Sequence, residues 1–210
     1  MQKVLIGCPV YQGSHVLDQY LKALDSLDMT DLQVDLLLVD NSDDSRFFRE
    51  LKERKLECIK DFKVKRIEAG YEMSLLLDNK GNVYCFGKNG TNQLGLGHDN
   101  YINEPTLNPY VKNIISISSG NNHCLLLRAD GLVYSFGLNG FGQLGLGDNV
   151  RRKVPTLIAE IRDIIQISAG NHISLLLDKS GKIYSFGRND SGQLGLGDNI
   201  DRNVPTMVGE

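Results

Sequence analysis

The sequence is poor in the residues that mark several classes of protein. It has no tryptophan, only 7% aromatic residues, five prolines and four cysteines among 210 residues. The formal net charge is −3, which gives no electrostatic case for binding nucleic acid or an anionic membrane. No stretch approaches the ~20 apolar residues that a membrane-spanning helix needs. We therefore expect no nucleic acid or membrane partner, and a cytoplasmic location.

Cysteine and histidine give no sign of a metal or catalytic centre. Cys8, Cys58, Cys85 and Cys124 form no C-x-x-C pair, and the four histidines (His15, His98, His123 and His172) do not stand at ligand spacing. We expect buried, reduced thiols and no bound metal or cofactor. The apolar residues around His123 predict that it lies in a strand with a local hydrogen-bond partner.

Glycine, in contrast, is abundant at 22 residues and is spaced with a period. Three short patterns recur at intervals of fifty residues without insertion or deletion: Tyr-x-Phe-Gly from Tyr84, Tyr134 and Tyr184; Gln-Leu-Gly-Leu-Gly from Gln93, Gln143 and Gln193; and Leu-Leu-Leu from Leu75, Leu125 and Leu175. Such regularity indicates three tandem copies of one structural unit. We place the copies at about 67–116, 117–166 and 167–210, within a domain covering 61–210.

Each copy predicts four short β-strands. In the second copy, apolar or β-branched runs occupy residues 114–118, 123–128 and 132–136, and a tight turn at Asp130-Gly131 separates the last two. Residues 154–158 form a fourth candidate, and Pro155 confines it to a sheet edge. Four strands in about fifty residues are typical of a propeller blade. The triple leucines predict core strands covered on both faces, with Leu126 as an example.

The third copy carries the clearest family likeness. From Ile167 to Asp198 it reads Ile-Ser-Ala-Gly, Leu-Leu-Leu-Asp, Gly-Lys-Ile-Tyr-Ser-Phe-Gly-Arg-Asn and Gly-Gln-Leu-Gly-Leu-Gly-Asp. This pattern resembles the repeat of the regulator of chromosome condensation family. The resemblance implies propeller blades, seven of which normally close a ring, and a surface used mostly for protein interaction. Founding members of that family exchange guanine nucleotide on the small GTPase Ran.

Three copies are fewer than a closed ring needs. Two explanations remain open at this point: several chains complete a ring by associating through open blade edges, or the chain carries part of a longer array. In either case the fold class is mainly β, a partial β-propeller of three four-stranded blades. A short segment of a different kind precedes it.

Residues 1–60 predict a β-α-β unit. Residues 3–11 are a buried strand, residues 15–27 place apolar side chains at helical spacing after the N-cap Ser14, and residues 34–39 are a second strand. The Pro9-Val10-Tyr11 loop and the Asp40-Asn41-Ser42-Asp43-Asp44 turn resemble the opening of a family 2 glycosyltransferase. That resemblance implies nucleotide-sugar binding by Pro9, Tyr11 and Asp40. The segment is truncated, however, since no later Asp-x-Asp motif follows, and we favour a solvated turn and helix N-terminus as the explanation of the acidic residues.

The combined prediction is a non-enzymatic scaffold for protein interaction. Two alternatives remain: a guanine nucleotide exchange or regulatory factor for a small GTPase, and a remnant nucleotide-sugar-dependent glycosyltransferase. We expect a protein partner, and self-association through open blade edges is a further possibility.

Overall fold

The structure is a computed structural model that describes residues 63–209. Over this range the chain forms twelve strands and no helix, arranged as three antiparallel sheets of four strands. The first sheet comprises β1 (Val64–Gly70), β2 (Met73–Asp78), β3 (Val83–Gly87) and β4 (Ile102–Leu107). The second comprises β5 (Ile114–Ser119), β6 (His123–Arg128), β7 (Val133–Gly137) and β8 (Arg152–Leu157). The third comprises β9 (Ile164–Ala169), β10 (Ile173–Asp178), β11 (Ile183–Gly187) and β12 (Arg202–Met207).

These sheets confirm the mainly β prediction and the four strands in each unit. Strand order within each sheet follows the chain, so the proline-containing fourth strand is an edge strand, as expected. It begins at Arg152 in the second sheet, two residues before the predicted start, because a register shift lets Arg152 pair with Gly137. The sheets start at Val64, Ile114 and Ile164, three residues before the predicted unit boundaries. The β-α-β unit predicted for residues 1–60 lies outside the described residues.

The turn between the second and third strand of each sheet uses glycine in the left-handed region. Gly81, Gly131 and Gly181 have φ values of 82°, 79° and 89°, which side chains with a Cβ rarely adopt. In the first sheet the Asp78 carboxylate also accepts hydrogen bonds from the backbone N–H groups of Lys80 and Asn82, at 2.9 and 2.8 Å. The predicted tight turns are thus confirmed.

The core lies in the two seams where neighbouring sheets pack face to face. In the first seam Leu75, Leu77 and Val83 contact the second sheet, which contributes Ile117 and Leu126. The second seam repeats the arrangement fifty residues further along the chain. Side chains alternate between the two faces of a strand, so the three leucines of the second sheet contribute to both seams.

Burial of the triple leucines differs between sheets. All three are fully buried in β2 and β6, which confirms the predicted core strand. In β10, burial alternates: Leu176 is buried, whereas Leu175 and Leu177 are half-buried. The prediction of two covered faces is therefore wrong for the third sheet. Among residues 63–209, no further sheet packs against its second face.

Candidate interaction surface

All long loops of the three sheets emerge at one end. In an antiparallel meander, the turn after the first strand and the loop after the third lie at the same end of the sheet. We call this end the loop face. It consists of the turns 71–72, 121–122 and 171–172 and the loops 88–101, 138–151 and 188–201. The opposite end, the turn face, carries the short turns 79–82, 129–132 and 179–182.

One buried asparagine in each sheet fixes the long loop. The side-chain Nδ2 of Asn139 donates to the carbonyl oxygen of Asp148 at 2.8 Å, and its Oδ1 accepts from the N–H of Leu144 at 2.9 Å. Asn89 and Asn189 make the equivalent bonds in the other sheets, and all three asparagines are fully buried. A buried amide bonded at both ends holds its loop in one conformation. These residues escaped the sequence analysis, although their recurrence at fifty-residue spacing could have identified them.

The short turns of the loop face are bonded to one another. The N–H of Tyr71 donates to the carbonyl of Asn121, and the N–H of Asn121 donates to the carbonyl of Asn171, both at 3.3 Å. The first residue of a long loop is tied to the same turns: the N–H of Lys88 donates to the carbonyl of Glu72 at 2.7 Å. The three sheets therefore present a continuous, hydrogen-bonded loop face.

A cation and an aromatic ring meet on this face in the first sheet. The Lys88 ammonium lies 2.6 Å from the Glu72 carboxylate and 5.7 Å from the centre of the Tyr71 ring. The hydrogen bond to Glu72 raises the pKa of Lys88, so this group stays charged. Tyr71 is 54% exposed. An exposed tyrosine beside an anchored charge is typical of a protein-binding surface.

The second and third sheets jointly form a similar cluster. The Arg188 guanidinium lies 5.2 Å from the centre of the Phe141 ring, and the rings of Phe141 and His172 are 5.0 Å apart. Arg188 Nε also donates to Asp190 at 2.9 Å, which lowers the pKa of that carboxyl. The pKa of His172 is lowered mainly by burial and secondly by the positive charge of Arg188. The imidazole is thus held in its neutral form at neutral pH.

The Leu-Gly-Leu-Gly segments anchor the loops in the seams. Leu94 is fully buried, and a Cβ on Gly95 would lie 2.6 Å from the Phe136 ring of the next sheet. The N–H of Gly97 then donates to the carbonyl of Lys153 on the fourth strand of that sheet, at 2.8 Å. Glycine is required where the backbone approaches a neighbouring ring this closely.

His123 lies in β6, but its partner is not local. Its Nε2 lies 3.0 Å from the hydroxyl of Ser174, 51 residues away across the second seam, which corrects the predicted local bond. That hydroxyl donates its only proton to the carbonyl of Gln143 at 2.8 Å, so His123 Nε2 must carry the proton it shares. Burial lowers the pKa of His123 to about 3. With this tautomer the imidazole cannot accept the Ser174 proton, and the pair is not a nucleophile and base.

The described cysteines are buried, as expected. Cys85 and Cys124 are both free thiols. Burial raises the pKa of Cys85 to about 12 and raises that of Cys124 as well. A reactive thiolate is excluded at these two positions. Cys8 and Cys58 lie outside the described residues.

Residues 63–209 offer few other features that could serve as a site. Within this range no three His, Cys, Asp or Glu side chains group as metal ligands, and no helix is long and apolar enough to cross a membrane. An open depression of about 540 Å³ lies on the turn face between the first two sheets, lined by Lys65, residues 78–81, residues 113–115 and residues 128–130.

The nucleotide-sugar residues predicted from the sequence, Pro9, Tyr11 and Asp40, precede the described range. Their role stays a prediction.

Two family models match the chain over the region of the sheets. Both are described as "Regulator of chromosome condensation (RCC1) repeat": one matches residues 80–127, 130–177 and 180–210, and the other matches 64–93, 114–143 and 164–193. The first model alone covers more than half of the chain. The chain belongs to the RCC1 repeat family. The first two units of the first model run from the turn between the second and third strands of one sheet to the second strand of the next sheet, so each of these two units spans a seam.

Solved structures agree with this assignment. Human WBSCR16 is similar with 27% identity and a TM-score of 0.64, over 71% of this chain and 38% of that one. Prp20p from Saccharomyces cerevisiae, described with its binding properties to Gsp1p and histones, shows 28% identity and a TM-score of 0.64 over 72% of this chain and 40% of Prp20p. A structure of Kap60 bound to yeast RCC1 (Prp20) gives 27% identity and a TM-score of 0.63, over 72% and 38% of the two chains.

The aligned RCC1 region corresponds to 40% or less of these solved chains. The likeness thus establishes the blade fold of residues 63–209 in this chain. All the residues matched by the family models lie at or beyond residue 64, so the glycosyltransferase resemblance of residues 3–52 gains no support from them.

Proposed function

We propose that the chain is a non-enzymatic protein-interaction scaffold that binds a protein partner through its loop face. The observation that carries the proposal is the combination of a fixed backbone and exposed recognition groups. Buried asparagines and turn-to-turn bonds hold the loops, while Tyr71 and Lys88 remain accessible. Binding to a preformed surface loses little conformational entropy, which favours affinity.

The relatives support the same use of the fold. Yeast Prp20 is described in complex with Kap60 and with binding properties to Gsp1p and histones, which are all proteins. From these relatives we infer only the class of ligand for this chain, namely a protein. The RCC1 family as a whole consists mostly of regulators without catalytic activity.

A matched pair of charge reversals tests the proposal. The immobilised full-length chain captures partners from a cell extract, and mass spectrometry quantifies each captured protein. Lys88→Glu changes the loop face, whereas Lys80→Glu makes the same change on the turn face of the same sheet. We expect partners that bind the chain to be lost with Lys88→Glu and retained with Lys80→Glu. Equal retention by both folded variants would contradict the proposal.

Guanine nucleotide exchange on a small GTPase is a second candidate, favoured by the 28% identity to Prp20p. A nucleotide-release assay distinguishes this candidate from the scaffold proposal. A GTPase loaded with a fluorescent GDP analogue releases the nucleotide faster when an exchange factor is added. Acceleration by the chain, reduced in Lys88→Glu, would favour exchange; binding of the GTPase without acceleration would leave the scaffold as the function.

A further inference from the structure

The depression on the turn face lies between two described sheets, at the end of the array opposite the loop face. Its lining comes from Lys65 and residues 78–81 of the first sheet, and from residues 113–115 and 128–130 of the second. A volume of about 540 Å³ is in the range of small-molecule sites and is too small for a folded protein. The depression therefore offers a place for a small ligand that is separate from the loop face.

Both carboxylates at the depression are bound within their own sheets. The buried Asp78 accepts hydrogen bonds from the backbone N–H and the side-chain Nδ2 of Asn82, at 2.8 Å each. Asp130 accepts from Nε of Arg128 at 2.9 Å and from its Nη2 at 2.6 Å. Because these acceptors already have donors, neither carboxylate needs a lysine as a partner.

Two lysines give the depression its positive charge. Lys65 and Lys80 are exposed, and neither side chain has an ion-pair or hydrogen-bond partner among residues 63–209. Three cationic side chains line the depression against two carboxylates, an excess of one positive charge. Two further lysines stand beside the lining: Lys63, whose carbonyl accepts from the N–H of Asn79 at 2.9 Å, and Lys112. The summed field at this end of the first seam therefore favours an anion.

The second seam shows that this charge is not a by-product of the repeat. Fifty residues further along, the corresponding wall carries an ion pair, with Lys179 Nζ 2.7 Å from Asp163 Oδ1. The first seam has Ala129 and Asn113 at these two positions, which bring neither charge nor a long side chain. The lysine-lined depression is thus a property of the first seam.

We propose that this depression binds a small phosphate-bearing molecule, with Lys65 and Lys80 holding the phosphate and Ile115 contacting the rest of the ligand. A phosphate group carries close to two negative charges at neutral pH and has three acceptor oxygens, so it accepts from both ammonium groups at once. A carboxylate carries only one charge. Ile115 lines the depression and is 42% exposed, which favours an organic phosphate over the free ion. The proposal does not rest on the proposed function.

A titration of the full, ¹⁵N-labelled chain with phenyl phosphate at constant ionic strength, followed by NMR, tests this inference. We expect saturable shifts of the backbone amides of Gly81 and Ala129, with a Kd of about 1 mM. Lys65→Gln and Lys80→Gln should each weaken binding by about fivefold or more. Lys182→Gln is the matched control, because it removes an exposed lysine from the turn face of the third sheet and should leave the Kd unchanged.

Two further ligands separate the parts of the proposal. Inorganic phosphate should bind more weakly than phenyl phosphate, and Ile115→Ser should remove that difference, whereas Ile165→Ser, at the equivalent exposed position of the third sheet, should keep it. Benzoate has the same ring with a carboxylate and should bind more weakly still.

Three results would overturn the inference. The first is a set of shifts that grow without saturation or spread over all exposed lysines. The second is equal weakening by Lys182→Gln and the two depression variants. The third is benzoate binding as tightly as phenyl phosphate. Phosphate binding and partner capture are separate measurements, so a failure of this inference is distinguishable from a failure of the proposed function.

Discussion

At the scale of the residue, glycine permits the close packing of the seams, and the third sheet supplies a natural control. Gly95 and Gly195 occupy equivalent positions with φ values of 64° and 70°. A Cβ at Gly95 would lie 2.6 Å from the Phe136 ring, while at Gly195 the nearest atom is 3.4 Å away. Both alanine variants carry the backbone strain, but only Gly95→Ala also overpacks a seam. We expect it to lower the free energy of unfolding by about 1–3 kcal/mol more than Gly195→Ala, as measured by urea denaturation. Equal losses would show that the seam contact is unimportant.

His123 makes stability depend on pH. Its pKa in the folded protein is about 3, against a usual value of 6.5, so between these values the unfolded chain binds a proton that the folded chain excludes. Stability should fall as the pH falls through this window, by up to about 1.4 kcal/mol per pH unit. Met73 holds the same position in the first sheet and is buried there. His123→Met should therefore flatten the pH dependence of the urea midpoint between pH 4 and 6.5, and an unchanged slope would contradict this.

Individual residues differ in how far the sequence alone could place them. The triple leucines and the seam glycines were predictable, because apolar runs and recurring glycines signal buried strands and close approaches. The Ser174 partner of His123 was not, since the two residues are 51 positions apart and meet only when two sheets stack. Pro9, Tyr11 and Asp40 rest on a resemblance alone.

At the scale of the element, the strands of the second and third sheets should differ in protection from hydrogen exchange. Both faces of β6 are covered, and its residues 123–127 are buried. One face of β10 is open, so its burial alternates. Amides in β10 should therefore exchange faster than amides in β6 by local opening. Hydrogen–deuterium exchange with mass spectrometry on the native chain measures both strands together. Equal protection in dilute, monomeric protein would argue against an open third sheet.

Strand positions followed from the sequence more readily than loop structure did. Alternating and continuous apolar runs located the first three strands of each sheet, and proline located the edge strand. The early start of β8 at Arg152 depends on a register shift, which no local pattern signals. The long loops look flexible by composition, yet each is fixed by one asparagine whose bonds reach five and nine residues ahead.

At the scale of the whole molecule, the order of strands decides where binding can occur. Three meanders of the same sense bring every long loop to one end, and the turn-to-turn bonds join these loops into one loop face. The repeat and its family were evident from the sequence. The partial exposure of one face of the third sheet was not, because it depends on how that sheet is covered.

The central claim is that a protein partner binds the loop face, and hydrogen exchange in the complex tests it most directly. Exchange is measured for the full chain alone and for its complex with a partner that the unsubstituted chain captures and the Lys88→Glu variant does not. We expect slower exchange in the loops 88–101, 138–151 and 188–201, with the turns 79–82, 129–132 and 179–182 unchanged. Protection confined to the turn face, or absent from the loop face in a saturated complex, would contradict the claim.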